Sequence, residues 1–426
     1  MRGYDEALQF LHSLDRFGSR LGLERMRRLM GRLGHPQAGL PMVHVGGTNG
    51  KGSVVAILDS ILRAAGYRVG RYISPYLEGF RERIVIAGDL ITEAALAEHV
   101  KRLRTHCVEM GAQHPTEFEV VTALGFMEFQ QARVDIALIE VGLGGRWDAT
   151  NIIHPCLAIV TNIGHDHLER LGPDLTAVAW EKAGIIKPLV PVLCGEKSTM
   201  IQRVAVAKRA PLFRFGADFV VCPGHMDWDG QYFTMHGLDG HYRNLHLPLL
   251  GRHQLVNASL AIGAAEILRR QGWDIPAGAI RAGLKCVSWP GRLELLSRQP
   301  LVVLDGAHNR EGAVALAAAL KELGARDMTL VAGILADKEY GAMLPPLLPF
   351  VRRVIVTKPA NARALSTQML ADAVRTLHPQ LAVESCPDLA AALSRGLESS
   401  TGGGLLVSGS LYLVGPARGI LTKMLS

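Results

Sequence analysis

Short continuous apolar runs alternate with helix-length amphipathic stretches along most of this chain. The runs at 42–45, 69–73, 134–141, 156–162 and 190–194 lack the apolar/polar alternation of a strand with one face in water. Between them lie stretches with helical spacing, such as Val54, Ile57, Leu58, Ile61 and Leu62, which share one face. Strands apolar on both faces and separated by helices predict an α/β fold with a parallel sheet covered on both sides. Residues 212–249 change character, with Gly/Asp turns between short aromatic strands, and predict an antiparallel insertion. A second alternation starts near 301 and continues through 329–335, 352–357 and 405–410. Trp289-Pro290-Gly291, within 286–300, punctuates the change of register and marks a hinge or linker. The expected organisation is a larger N-terminal domain, 1–288, and a smaller C-terminal one, 298–426.

Composition narrows the class. Of 426 residues, 48% are hydrophobic and 20% charged, enough to bury sizeable cores and too little charge for disorder. Aromatics are only 6%, which argues against a surface that stacks successive bases. Lysine and arginine exceed aspartate and glutamate by 46 − 39 = 7, a surplus suited to anionic small ligands. The opening Met-Arg-Gly-Tyr-Asp-Glu has acids where a secretion signal needs a basic and then an apolar region. The uncharged stretch at 399–417 is broken by glycines, serines and Pro416, so it does not read as a membrane span. Six cysteines are scattered without a C-x-x-C pair, as free thiols in a reducing compartment would be. The expectation is a cytoplasmic protein with no nucleic-acid and no membrane partner.

Residues 43–53 read VHVGGTNGKGS and lead straight into a helical pattern. Strand, glycine-rich turn, lysine and helix N-terminus together make a triphosphate site. Glycines let backbone N–H groups face phosphate oxygens, the helix end adds partial positive charge, and Lys51 adds a point charge. The spacing is a variant of the usual phosphate loop, because Gly52 intervenes between Lys51 and Ser53 and only three residues separate Gly46 from Gly50. Glu140 ends an apolar strand beside Gly-Leu-Gly-Gly, where such enzymes place Mg²⁺; by itself it is equally a surface acid. His167 falls in Gly-His-Asp-His, which alone is weak evidence for a metal. Lys182, in Glu-Lys-Ala-Gly, reads by itself as a surface ion-pair partner.

The loop is more specific when read together with the segments downstream of it. SPYLEGFRERI at 74–84, PTEFEVVTALGF at 115–126, EVGLGGRWDATN at 140–151 and TNIGHDHLERLG at 161–172 occur in that order. After them come EKAGIIKP at 181–188, PGRLE at 290–294, DGAHN at 305–309 and SGSLYLVG at 408–415. The series closely resembles bacterial folylpolyglutamate synthase/dihydrofolate synthase, a relative of the Mur peptidoglycan ligases, from about residue 5 to 420. That resemblance implies a P-loop ATPase domain joined to a smaller Rossmann-like domain, with the active site in the cleft between them.

It also implies residue roles. Asn49, Gly50, Lys51, Gly52, Ser53, Asn257, Arg292 and Asp305 would contact ATP, and His308 the incoming glutamate. Ser74, Glu140, His167 and Lys182, the last as a carbamate, would hold one or two Mg²⁺ ions. Lys51, Glu140, His167, Lys182 and His308 form the catalytic set. Thr116, Glu117, Phe118, Glu119 and Asp148 would receive the pterin, although Phe118 also begins a helical apolar pattern and fits a plain core role. The chain departs from its relatives at Tyr76, where a histidine is common, and at Trp147, where a leucine is common.

The implied reaction is ATP-dependent. Carboxylate attack on the γ-phosphate gives an acyl phosphate, which the amine of L-glutamate then converts to an amide. Dihydropteroate, reduced folates or both would be the acceptors, and because relatives of this kind are commonly monomeric a monomer is expected. A Mur ligase acting on a nucleotide-linked peptide would carry a separate domain before the phosphate loop, and only about 45 residues precede it. A nucleotide switch or RNA-associated protein is the reading from a different class, but the Asn-Lys-x-Asp segment of a guanine reader is missing and Arg25 to Arg32 suit a solvated helix face.

Overall fold

The structure, a computed structural model, describes residues 2–14, 22–166, 168–400 and 402–425. The first apolar runs become strands β1 (Met42–Gly46), β2 (Val69–Tyr72), β3 (Ile84–Ile86), β4 (Asp89–Leu90), β5 (Ile136–Glu140), β6 (Leu157–Val160), β7 (Val192–Cys194) and β8 (Leu212–Arg214). They form one sheet in the order β4-β3-β2-β5-β1-β6-β7-β8. The pairs from β2 to β8 are parallel, and β3 and β4 close one edge antiparallel. Strand β1 lies at the centre, flanked by β5 and β6, and is buried at every residue. That position explains why its sequence shows no polar alternation.

Two helices beside this sheet are nearly apolar all round. The helix Lys51–Ala64 buries ten consecutive residues, Ser53 to Leu62. Helix Glu117–Gln131 buries ten residues, including Phe126 and Phe129. A Cβ on Gly70 of β2 would lie 2.7 Å from Phe129 Cδ1, so glycine there admits the ring. Burying a ring of this size contributes about 2–3 kcal/mol. The start of helix Glu117–Gln131 is set by a reciprocal cap, in which Thr116 accepts from Glu119 N and Glu119 accepts from Thr116 N.

The aromatic stretch forms a three-stranded sheet of β9 (Val220–Asp227), β10 (Gly230–His236) and β11 (His241–Leu247), in the order β11-β10-β9. The expected insertion thus begins later than residue 212, because β8 pairs parallel with β7 and extends the first sheet. The last sheet comprises β12 (Glu294–Arg298), β13 (Leu301–Asp305), β14 (Met328–Ala332), β15 (Val351–Val356), β16 (Ala382–Ser385) and β17 (Leu405–Ser408). Its order is β12-β13-β17-β14-β15-β16, parallel except for β12, which runs antiparallel to β13. The segment 286–300, expected as a linker, therefore contains an edge strand; its mixed Glu-Leu-Leu-Ser-Arg sequence reflects half-exposure.

The chain divides into two compact units. One comprises Met1–Val221, Met235–Tyr242 and Val256–Leu284; the other Cys222–Thr234, Arg243–Leu255 and Lys285–Ser426. Each has its own apolar cluster, the first around Tyr72, Phe126 and Phe129, the second around Leu316, Leu320, Leu330 and Val354. All six cysteines are free. No helix among the described residues is long and apolar enough to cross a membrane.

Candidate active site

The phosphate loop leaves β1 at Gly46 and enters helix Lys51–Ala64 through Gly50, which sits at φ 82°, a left-handed conformation that favours glycine. Gly50 supplies no side-chain cap and the first turn has no acid, so the helix presents partial positive charge at this end. Lys51 Nζ donates back to Gly47 O at 3.1 Å and Thr48 O at 3.0 Å, folding over the preceding loop. Ser53 is buried and Gly52 half-buried on the first helical turn. Asn257 packs directly on the loop, since a Cβ on Gly50 would lie 2.4 Å from its Oδ1.

The segment after β6 braces the loop. Asn162 Oδ1 accepts from Asn49 N at 2.8 Å and Thr48 N at 3.2 Å, while Asn162 O also accepts from Thr48 N at 3.0 Å. Thr161 Oγ1 donates to Asn49 O at 2.6 Å, and Gly164 N donates to Thr48 Oγ1 at 2.9 Å. Glu196 holds this bracing segment in turn, accepting from Ile163 N at 3.0 Å. Thr161, Asn162 and Glu196 were not among the residues expected from sequence. The motif TNIG contained two of them, but nothing in its spacing says that a second loop must fold onto the first.

Glu140 ends β5 with its side chain buried, and Ser74 N donates to its Oε2 at 3.4 Å. Lys182 closes helix Leu175–Lys182 and is only 3% exposed. Burial, together with the charge of Lys51, pulls its pKa from 10.5 to about 7, opposed by Asp166, Glu181 and Glu196. Lys182 is thus a buried amine close to neutrality, the reverse of the surface ion-pair partner that its sequence suggests alone. Among the described residues, no three His, Cys, Asp or Glu side chains converge as a metal group. His167 lies outside the described residues. Glu140 and Ser74 nevertheless offer the hard oxygen donors that Mg²⁺ requires. A carbamate on Lys182 would turn a nitrogen base into an oxygen donor, so in that chemical form its donor type suits the ion as well.

A cavity of about 690 Å³ opens beside this group, lined by Ser74, Pro75, Arg83, Thr116, Glu117, Phe118, Glu119, Gly142, Trp147 and Asp148 among others. All five residues expected for the pterin line it, but they are not equivalent. Phe118 is half-buried and lies against Gly142, where a Cβ would come within 2.3 Å of its Cζ, and it also packs against the apolar cluster, edge-on to Tyr72 at 6.2 Å, so its ring is both wall and core margin. Glu119 is already engaged: beyond its cap, it pairs with Arg25 at 3.1 Å, which takes Arg25 out of the solvated face expected for 25–32. Asp148 Oδ2 accepts from Leu143 N at 2.9 Å, and its Oδ1 from Thr150 N at 3.0 Å and Thr150 Oγ1 at 2.5 Å. Burial raises its pKa against those hydrogen bonds. Its carboxylate therefore shapes the 142–150 loop that forms one side of the cavity.

Arg292, Asp305 and His308 belong to the second unit. Asp305 ends β13 and is buried, accepting from Leu293 N at 2.7 Å and Ala307 N at 2.8 Å. Burial raises its pKa, and the Arg292 charge opposes that rise. Gly306 N donates to Gly291 O at 2.8 Å, tying the PGR turn to the DGAH turn. His308 Nδ1 donates to Gly306 O at 2.9 Å, which fixes the orientation of the ring. Asn309 caps the next helix by accepting from Gly312 N at 2.8 Å.

Comparison with known proteins places the sequence and the fold. Residues 45–265 match the Mur ligase middle domain, and residues 291–411 match the Mur ligase, glutamate ligase domain. The folylpolyglutamate synthase of Lacticaseibacillus casei is 38% identical over 97% of this chain and 98% of its own length. The dihydrofolate synthase/folylpolyglutamate synthase of Bacillus subtilis (strain 168) is 36% identical over 97% and 98%. A crystal structure of Mycobacterium tuberculosis folylpolyglutamate synthase complexed with ADP and AMPPCP superposes with a TM-score of 0.91 at 34% identity, covering 98% of both chains. By this likeness in sequence and fold over nearly its whole length, the chain belongs to the Mur ligase family, in the group of folylpolyglutamate and dihydrofolate synthases.

Proposed function

We propose that this chain is an ATP-dependent ligase that joins L-glutamate to dihydropteroate, giving dihydrofolate, and to the γ-carboxyl of reduced folates. The observation that carries this reading is the junction at Ser74. Its N–H donates to the buried Glu140 at the phosphate-loop end of the sheet, and the same residue lines the cavity with Thr116 and Phe118. An acceptor in that cavity would bring its carboxylate toward the phosphate-loop end of the sheet, where it must capture the phosphoryl group. The relatives' names and the nucleotide complexes of the Mycobacterium tuberculosis protein support ATP and folates as substrates.

In this mechanism the loop N–H groups braced by Asn162 bind the phosphates, and Lys51 exchanges its two carbonyl partners for phosphate oxygens. Asn257, Arg292 and Asp305 serve ATP, and Arg292 offsets charge that develops on the phosphoryl group. The acceptor carboxylate attacks the γ-phosphate, releasing ADP and forming an acyl phosphate. The amine of glutamate, oriented by His308, then attacks the activated carbonyl and phosphate leaves. Positioning and charge stabilisation supply most of the rate. When bound, Mg²⁺ would be held by Ser74, Glu140, His167 and carbamylated Lys182, and would neutralise phosphate charge. Carbamylation joins the neutral Lys182 amine to CO₂ with release of one proton, and its depressed pKa favours the reactive form. Cytoplasmic placement and a monomeric state belong to the same proposal.

The test is phosphate release from Mg·ATP with and without L-glutamate, using dihydropteroate and tetrahydrofolate separately. Glutamate-dependent release with both is the expected result. Release with tetrahydrofolate alone would reduce the chain to a folylpolyglutamate synthase, the single activity in the name of the Lacticaseibacillus casei relative. No release with either, from folded protein in bicarbonate buffer, would overturn the folate reading.

A further inference from the structure

Arg83 lines the cavity but has no part in the phosphate, metal and pterin assignments. It closes the short helix Phe80–Arg83 and lines the 690 Å³ cavity. Its guanidinium carbon lies 5.4 Å from the ring centres of both Tyr76 and Phe80. Its Nε is buried without a hydrogen-bond partner among the described residues. Such a donor, stripped of water and left unmatched, is costly unless a ligand supplies the acceptor.

The segment around it is stiff. Glu82 accepts from Leu77 N, Glu78 N and Gly79 N at 2.8, 2.9 and 2.6 Å, and Arg81 donates to Ile91 O at 3.3 Å. Arg83 O accepts from Ile73 N at 3.0 Å, which fixes the arginine backbone beside Ser74 and hence beside Glu140. The backbone that carries Arg83 is therefore held in place before any ligand arrives.

The charges of the wall give the cavity a direction. Glu117, Glu119, Asp148, Glu169 and Glu181 are acids, of which Glu119 is matched by Arg25 and Asp148 by its own loop. Among the described residues, the other lining cation, Arg170, is exposed to solvent. An anionic group entering this acidic cavity needs a cation in its wall, and half-buried Arg83, with its Nε unmatched, is placed to supply it. We infer that Arg83 binds the carboxylate of the pteridine–benzoate acceptor, through the planar pairing of guanidinium with carboxylate, and delivers it to the phosphoryl end of the site. This rests on the folate reading above and adds the residue that recognises the reacting group.

The experiment compares binding of dihydropteroate with that of its carboxamide, in which the carboxylate is replaced by a neutral amide of the same shape. Affinities are read by pterin fluorescence on the full chain, as wild type, Arg83→Gln and Arg83→Lys, with ATP affinity as the folding control. Wild type should prefer the carboxylate by about tenfold or more, the usual worth of a charged hydrogen-bonded pair. Arg83→Gln should lose that preference by weakening the carboxylate ligand alone, and Arg83→Lys should recover part of it. Equal weakening of both ligands, or an undiminished carboxylate preference in Arg83→Gln, would overturn the role of Arg83 and leave the folate reading intact. Failure of wild type to bind either ligand would overturn both.

Discussion

Acidification should weaken this fold through one histidine in the middle of its first sheet. His44 of β1 lies between Ile139 of β5 and Ala158 of β6 and is completely buried. Thr150 Oγ1 donates to Asp148 Oδ1, so it accepts from His44 Nε2, 2.9 Å away. That fixes the proton on Nε2 and leaves Nδ1 buried without a partner among the described residues. A second proton has no acceptor there. Burial first, and the Lys187 charge second, pull the pKa from 6.5 to about 3. Between these values the unfolded chain binds a proton that the native chain refuses, so stability rises with pH and is lost as pH falls below about 6.5. At pH 5 the gap is about 1.5 pH units, worth about 2 kcal/mol. His44→Gln keeps a donor toward Thr150 and does not titrate. Urea unfolding monitored by circular dichroism, at pH 7.5 and 5, should show a stability loss smaller in the variant by about 2 kcal/mol. Equal losses in the two proteins would refute the buried, neutral histidine.

Other predictions concern the chemistry directly. Lys51→Ala and Glu140→Ala should each lower kcat about a hundredfold or more, as expected for a lost charge contact in the transition state, and a loss below tenfold would remove that residue from the catalytic set. Asn162→Ala withdraws the side-chain acceptor from Asn49 N, while Thr48 N keeps Asn162 O. Loss of about 1–2 kcal/mol should raise the Kd for a fluorescent ATP analogue by roughly 5–30-fold, and an unchanged Kd would mean that the loop holds its shape without that side chain. A Lys182 amine with a pKa of about 7 is mostly neutral at pH 7.5, so ¹³C-bicarbonate should give a carbamate NMR signal in wild type and none in Lys182→Ala. Activity indifferent to both bicarbonate and Lys182→Ala would refute the modified lysine.

Much of this architecture was legible in the chain because its signals are local. Buried parallel strands need continuous Val, Ile and Leu, and 42–45 and 134–141 show them at the two strands that meet in the centre of the sheet. Gly50 and Lys51 announced a phosphate loop because backbone conformation and charge at a helix start are carried by neighbouring residues. The edges were harder to read. β8 and β12 are short and half-exposed, so pairing with β7 and β13, rather than composition, makes them strands. The spacing of Thr116, Phe118 and Asp148 relates them to no common space, yet they line one cavity.

The deepest difference lies in residues whose chemistry depends on what surrounds them. Lys182 in Glu-Lys-Ala-Gly reads as a solvated cation, and only burial beside Lys51 turns it into a nearly neutral amine. Glu119 and Asp148 read as acceptors for a ligand, while folding commits one to Arg25 and a helix cap and the other to its own loop. Arg83 reads as one arginine among many, and only folding leaves its Nε dry and unmatched in a cavity wall. Periodicity and turn chemistry are properties of adjacent residues and so can be read along the chain. Desolvation, hydrogen-bond partners and electric field are set by residues far apart in sequence, and exist only once the sheet and its loops have closed around them.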